Sequence, residues 1–194
     1  SNSAVLNAID EIDLVSADFS VVHFNEPDTV SHIHGPDAEE TKFRVRETDS
    51  ALGELIDRLQ PSWNDTVLIV VSDHDQEYVV EYGFDLAESL NNRGLPGVVE
   101  YEGTAAVIHK GPALAEVLQI QEIEGAISLD YEHDLVWGKP GHVFGPWLDS
   151  LFGSHGSPRC GSQVAVVGGG HVESQRIAKP VSYTHLTLPT NPEV

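Results

Sequence analysis

Apolar residues recur at helical spacing from Ala4 to Val15, where Val5, Leu6, Ala8, Ile9 and Ile12 share one side. The run Phe19–Phe24 (FSVVHF) reads as a short buried strand that empties into a polar loop from Asn25 to Pro36. Asp37 then stands at a helix start with Glu40 three residues on, the spacing of a capping box. The helix it predicts runs to about Gln60, with Val45, Leu52, Leu55, Ile56 and Leu59 inward, and Pro61 closes it. Thr66–Val71 (TVLIVV) is a continuous β-branched run of the kind a parallel strand shows when both its faces are covered. Further on, the pattern predicts a helix over Asp85–Asn92, a strand over Ala105–Ile108, a helix over Gly111–Leu118 and a strand over Gln163–Val167. Asp130–Pro158, rich in Gly, Pro, Trp and His, reads as a long functional loop. Alternating strands and helices predict an α/β sandwich with a largely parallel sheet.

A chain of 194 residues with 40% apolar content has enough material for one packed core. No run of apolar residues is long enough for a membrane span. The formal charge of -21 and the lack of a basic cluster exclude a nucleic-acid polymer as partner, because nothing would track its phosphates. A small anionic substrate stays compatible if bound cations supply positive charge locally. Cys160 is the single cysteine, so neither an internal disulfide nor a sulfur-bound structural zinc is expected. The glycine triplet Gly168–Gly170 lacks the G-x-G-x-x-G spacing of a dinucleotide fingerprint.

The chemistry concentrates in three clusters: Asp28 and His32 after FSVVHF, Asp73 and His74 directly after TVLIVV, and His155 within Gly153–Gly156. Ligands of open α/β sheets gather beyond the carboxyl ends of the strands, which is where the first two clusters lie. Imidazole nitrogen and carboxylate oxygen suit zinc, and this many donors suits two ions rather than one. Taken singly, Asp28 and His32 also suit a loop that caps the following helix, Asp73 and His74 a strand-end turn, and His155 a flexible glycine loop. His34 is an alternative to His32, and His142 is a candidate for the substrate pocket together with Trp137 and Trp147. His171 is a candidate for the rim, and His23 is expected to be a packed core residue.

In order and spacing, the segments Glu26–Pro36 (EPDTVSHIHGP), Val71–His74 (VSDH) and Gly153–Gly156 (GSHG) resemble the type I phosphodiesterase/nucleotide pyrophosphatase family of the alkaline phosphatase superfamily. The resemblance spans about Phe19 to His171. It implies a three-layer α/β/α sandwich and hydrolysis of phosphodiester or pyrophosphate bonds in a small phosphate-ester substrate by two zinc ions. One zinc would be held by Asp28, His32 and His155, the other by Asp73 and His74. A phosphomonoesterase or sulfatase of the same superfamily, or a non-catalytic metal-binding module, are the alternatives. Ser31 and Asp75 stand where the family has glycine, and Asp75 is a candidate partner for an imidazole. The family's Thr or Ser nucleophile and a further metal-binding Asp are expected upstream of this chain, so residues 1–179 read as the C-terminal part of one catalytic domain, truncated at the N-terminus and inactive alone. Val181–Leu186 (VSYTHL) reads as a translated transposon-end adapter, which makes 180–194 a non-native tail.

Overall fold

The structure, a computed structural model, describes residues 2–145 and 150–172. The predicted tail and Trp147 lie outside the described residues.

The N-terminal half is helical. α1 (Asn2–Ile9) packs Leu6 and Ile9 against Ala51, Leu55 and Leu59 of α3 (Glu39–Leu59). Between them α2 (Asp28–His34) forms a short helix entered through Pro27. The predicted capping box is not made: the cap of α3 is Ala38, without a side-chain bond. Asp37 accepts instead from the Tyr78 hydroxyl at 3.0 Å, so a tertiary contact takes the carboxylate that a local cap would have used. Val45, expected inward, is exposed, while Leu52 is partly buried against this core.

Phe19–Phe24 makes no ladder among the described residues. Val22 and Phe24 pack onto the helical core, whereas Phe19 and Val21 are 84% and 78% exposed. His23 is exposed, not a core residue, because it falls on the outward side of this alternation. After a 3₁₀ turn over Gln60–Asp65 comes β1 (Val67–Val71). β1 was expected to be covered on both faces. Instead Val67, Ile69 and Val71 are exposed and only the alternate side chains are partly covered.

The C-terminal half is built on an antiparallel sheet of four strands in the order β4 (Val98–Glu102), β5 (Ala105–His109), β7 (His133–Gly138), β6 (Ile123–Ser128). Its inner face, with Ala106, Ile108, Ile123 and Val136, packs on Leu86 and Leu90 of α4 (Leu86–Asn92) and Val117 of α5 (Leu114–Val117). α4 is capped by Asp85, whose side chain accepts from Glu88 N at 2.9 Å. Much of the predicted loop Asp130–Pro158 is therefore strand: β7, then β8 (His142–Phe144) and β9 (Gly153–Ser154).

The largely parallel sheet expected from sequence is not seen among the described residues. β1 pairs antiparallel with β10 (Ala165–Gly169), β9 antiparallel with β2 (Glu77–Tyr78), and only β3 (Glu81–Phe84) pairs parallel, with β8. The reason is connection length. β4 and β5 are joined through Gly103–Thr104 and β6 and β7 by a short turn, and links that short can only make hairpins. Gly103 takes φ +67°, the left-handed region open to glycine, and a Cβ there would lie 2.4 Å from Ser154 Oγ and 2.5 Å from the His155 carbonyl oxygen. The tip of this hairpin thus presses on the segment that carries His155. No helix among the described residues is long and apolar enough to cross a membrane.

Candidate metal centre

Three separate segments bring their polar side chains to one place. α2 supplies Asp28 and His32, an i, i+4 pair on one helix face. Asp28 Oδ1 lies 3.4 Å from His32 Nε2 and 3.8 Å from His155 Nε2. One ligand-type atom from each of these residues falls within 4.8 Å of the other two. His74, on the turn after β1, stacks on His155 with ring centroids 3.7 Å apart, and His32 tilts against His155 at 5.0 Å. Asp73 is adjacent, its Oδ2 3.5 Å from His74 Nε2, but its side chain is largely exposed.

The tautomers follow from the partners. His32 Nδ1 is 2.8 Å from the Gly153 carbonyl and His74 Nδ1 is 3.1 Å from the Asp75 carbonyl. A carbonyl only accepts, so in the neutral ring the proton sits on Nδ1 and the lone pair on Nε2. The Nε2 atoms of His32 and His155 face the Asp28 carboxylate. Imidazoles that take metal are oriented in this way, by a fixed bond on the other ring nitrogen. Asp75 serves through its carbonyl, while its carboxylate accepts from Gln76 N at 2.8 Å. Burial, then the neighbouring His74, hold His155 below the usual imidazole pKa, outweighing Asp28, which acts the other way. A neutral ring there is the form that offers a lone pair.

The segment around His155 is pinned from beneath. Thr104 N donates to the His155 carbonyl at 2.8 Å and Ser157 N donates to Thr104 Oγ1 at 3.0 Å. Arg159 grips Glu77 of β2 from Nε at 2.7 Å and from a terminal nitrogen at 3.2 Å, and Ser157 Oγ donates to the same carboxylate at 2.6 Å. Burial pushes the Glu77 carboxyl up, but the bonds from Arg159, Ser157 and Thr104 outweigh it, so its pKa stands below the ordinary value. Gly153 is required by contact: a Cβ there would sit 2.4 Å from the Ser31 carbonyl oxygen. The small Ser31, where the family has glycine, is itself buried in this seam.

Of the other histidines, His34 lies two positions beyond His32, which carries it round α2 to an open depression with Val30, Phe43 and Arg44. His142 opens β8 opposite Glu81, with its ring near the Pro140 carbonyl, and its described contacts do not reach the cluster. Trp137 covers Gly125 on the sheet. His171 is exposed at the end of the described chain. Gln76, Glu77, Thr104, Ser157 and Arg159 carried no signal by spacing, because each acts through a partner distant in sequence.

The chain is similar to several known proteins. The profile of a family described as type I phosphodiesterase / nucleotide pyrophosphatase matches residues 2–137. GPI ethanolamine phosphate transferase 3, catalytic subunit, of Mus musculus is 26% identical over 164 residues, 84% of this chain and 14% of its own length. Ectonucleotide pyrophosphatase/phosphodiesterase family member 7 of Mus musculus is 36% identical over 72 residues, 34% of this chain and 16% of that protein. Among solved structures, murine ectonucleotide pyrophosphatase / phosphodiesterase 5 superposes with TM-score 0.61 at 20% identity, covering 87% of this chain and 52% of that one. Its inactive threonine-to-alanine variant in complex with AMP gives 0.62 at 20% identity, over 88% and 52%. The chain thus spans about half the length of these structures and a smaller share of the curated relatives. The architecture is α/β and alkaline-phosphatase-like.

Proposed function

This chain belongs to the type I phosphodiesterase/nucleotide pyrophosphatase family, and from that premise we propose that the protein carrying it hydrolyses phosphodiester or pyrophosphate bonds at a two-zinc centre. The observation that carries the proposal is the convergence of Asp28, His32 and His155 from segments far apart in sequence, with His74 stacked beside them. The donor set fits zinc: imidazole nitrogens with a carboxylate, and no sulfur. Asp28, His32 and His155 would hold one ion, and Asp73 and His74 would contribute to the other. Bound there, the ions supply Lewis acidity toward phosphoryl oxygens.

This chain's own residues do the rest by position. The Gly153 and Asp75 carbonyls fix the proton of His32 and His74 on Nδ1, and the Glu77–Arg159 pair holds the His155 segment against β2. On this reading the nucleophilic hydroxyl and a further metal carboxylate come from the longer protein, as does the three-layer sandwich with its largely parallel sheet. The loss of activity in the murine neighbour when a threonine becomes alanine supports a hydroxyl nucleophile. His142 would lie on the substrate side. The substrate is a small phosphate ester, since a chain of charge -21 presents no surface for a polyanion.

A second reading has its own support. The match over 84% of the chain is to a phosphoethanolamine transferase, and transfer and hydrolysis at phosphorus differ only in whether an alcohol or water accepts the group. The test is turnover of bis-p-nitrophenyl phosphate by the longer gene product with added zinc, with and without an alcohol acceptor. Hydrolysis that His32→Ala lowers at least about 100-fold, on the order of 3 kcal/mol of barrier, supports the proposal. Phosphodiester formed with the alcohol at the expense of hydrolysis supports the transferase. Turnover indifferent to His32→Ala would sink both.

A further inference from the structure

We infer that Gln76 is a positioning residue, which fixes the Asp28 carboxylate for metal capture. The inference rests on the metal reading of the centre given above. Gln76 follows the Asp73–His74 turn, and its side chain reaches across to α2. There its Nε2 donates to Asp28 Oδ1 at 2.5 Å and to the Asp28 main-chain carbonyl at 3.2 Å. One amide group therefore spends its donors on the two ends of a single residue. The oxygen it holds is the one that faces His32 Nε2 and His155 Nε2.

An aspartate in the first turn of a short helix has several side-chain rotamers open to it. The double clamp selects one and leaves the rest of that oxygen's acceptor capacity to the centre. Carboxylates that bind metal are held by outer hydrogen bonds of this kind, and their loss typically weakens metal binding by about 10–100-fold. The amide does this without charge. A lysine here would repel the cation, and a glutamate would repel Asp28.

The cost is visible elsewhere in the same side chain. Gln76 Oε1 is buried without a hydrogen-bond partner among the described residues, a condition that opposes folding. An apolar side chain of equal length would avoid that cost, so stability alone does not account for glutamine. Its surroundings accommodate it nonetheless: a Cβ on Gly153 would lie 2.7 Å from Oε1, and the Asp75 carboxylate accepts the Gln76 main-chain N–H. Asp75, standing where the family has glycine, thus sets the turn from which Gln76 reaches Asp28.

The test is zinc affinity of the full chain, measured by competition with a chromophoric chelator, alongside the absorption spectrum of the cobalt-loaded protein. Gln76→Met keeps length and neutrality but removes the donor, and Gln76→Asn keeps the amide but is too short to reach. Circular dichroism reports whether each folds, and if the methionine variant does not, the asparagine variant decides. Both are expected to bind zinc about 10–100-fold more weakly than the parent chain and to shift the cobalt bands. A folded variant that binds zinc within twofold of the parent, with unchanged cobalt bands, would overturn the role of Gln76 and leave the metal centre standing. A parent chain that binds no zinc in the same assay would overturn both.

Discussion

The two halves of the molecule treat their apolar residues in opposite ways. In the C-terminal half, Ile108, Val117, Val136 and Phe144 have no exposed surface, enclosed between a four-stranded sheet and two short helices. In the N-terminal half the most hydrophobic run, Val67–Val71, turns Val67, Ile69 and Val71 to solvent, and Phe19 and Val21 stand open as well. Hydrophobicity along the chain therefore does not report burial here. Closure does, and closure comes from hairpins with short turns. The candidate centre lies on the seam between these halves. Asp28, His32 and His74 come from the open half, and His155 is fastened to the closed half through Thr104, Ser157 and Arg159.

The comparison sets a scale for substitutions. Ile108→Ala removes a fully buried side chain from a packed cluster and is expected to cost about 2–5 kcal/mol, read from chemical denaturation. Ile69→Ala, on the open face of β1, should stay within about 0.5 kcal/mol in the same measurement. An equal loss at both positions would mean that the face of β1 is covered in solution, and the contrast between the halves would fall. Between these lies Glu77→Gln, which takes charge from the bonds to Arg159 and Ser157 and should cost about 1.5–3 kcal/mol. Its pH dependence has a definite sign. The folded carboxyl titrates below its unfolded value, so its contribution is present above the unfolded carboxylate pKa and is lost as pH falls through the folded one. The variant should lose stability less steeply in acid than the parent, and parallel acid profiles would contradict the assignment.

Legibility from sequence followed the same division. The helices over Glu39–Leu59 and after Asp85 are legible because helical periodicity is a local signal, even though the capping box expected for the first is not made. Strand β4 is not predicted, although Val98–Glu102 alternates, because only its hairpin through the tight Gly103–Thr104 turn gives it a partner. β1 and its partner β10 are each legible as strands, but their pairing is not. Their register joins residues about 100 apart, and no local pattern encodes which edges meet. Within the centre, the residues with imidazole and carboxylate chemistry were visible from type and order. The residues that aim them were not: Gln76 and the Gly153 carbonyl act across α2, β2 and β9, a proximity that exists only once the chain is folded.

Asp28, His32 and His155 are proposed to form a binding place for zinc. X-ray absorption at the zinc edge of the loaded chain tests it most directly, because it reports which atoms surround the metal. The expected result is a shell of nitrogen and oxygen at about 2.0–2.2 Å with the outer scattering of imidazole rings, diminished in both His32→Ala and His155→Ala. Zinc without imidazole scattering, or a spectrum that neither substitution changes, would contradict it.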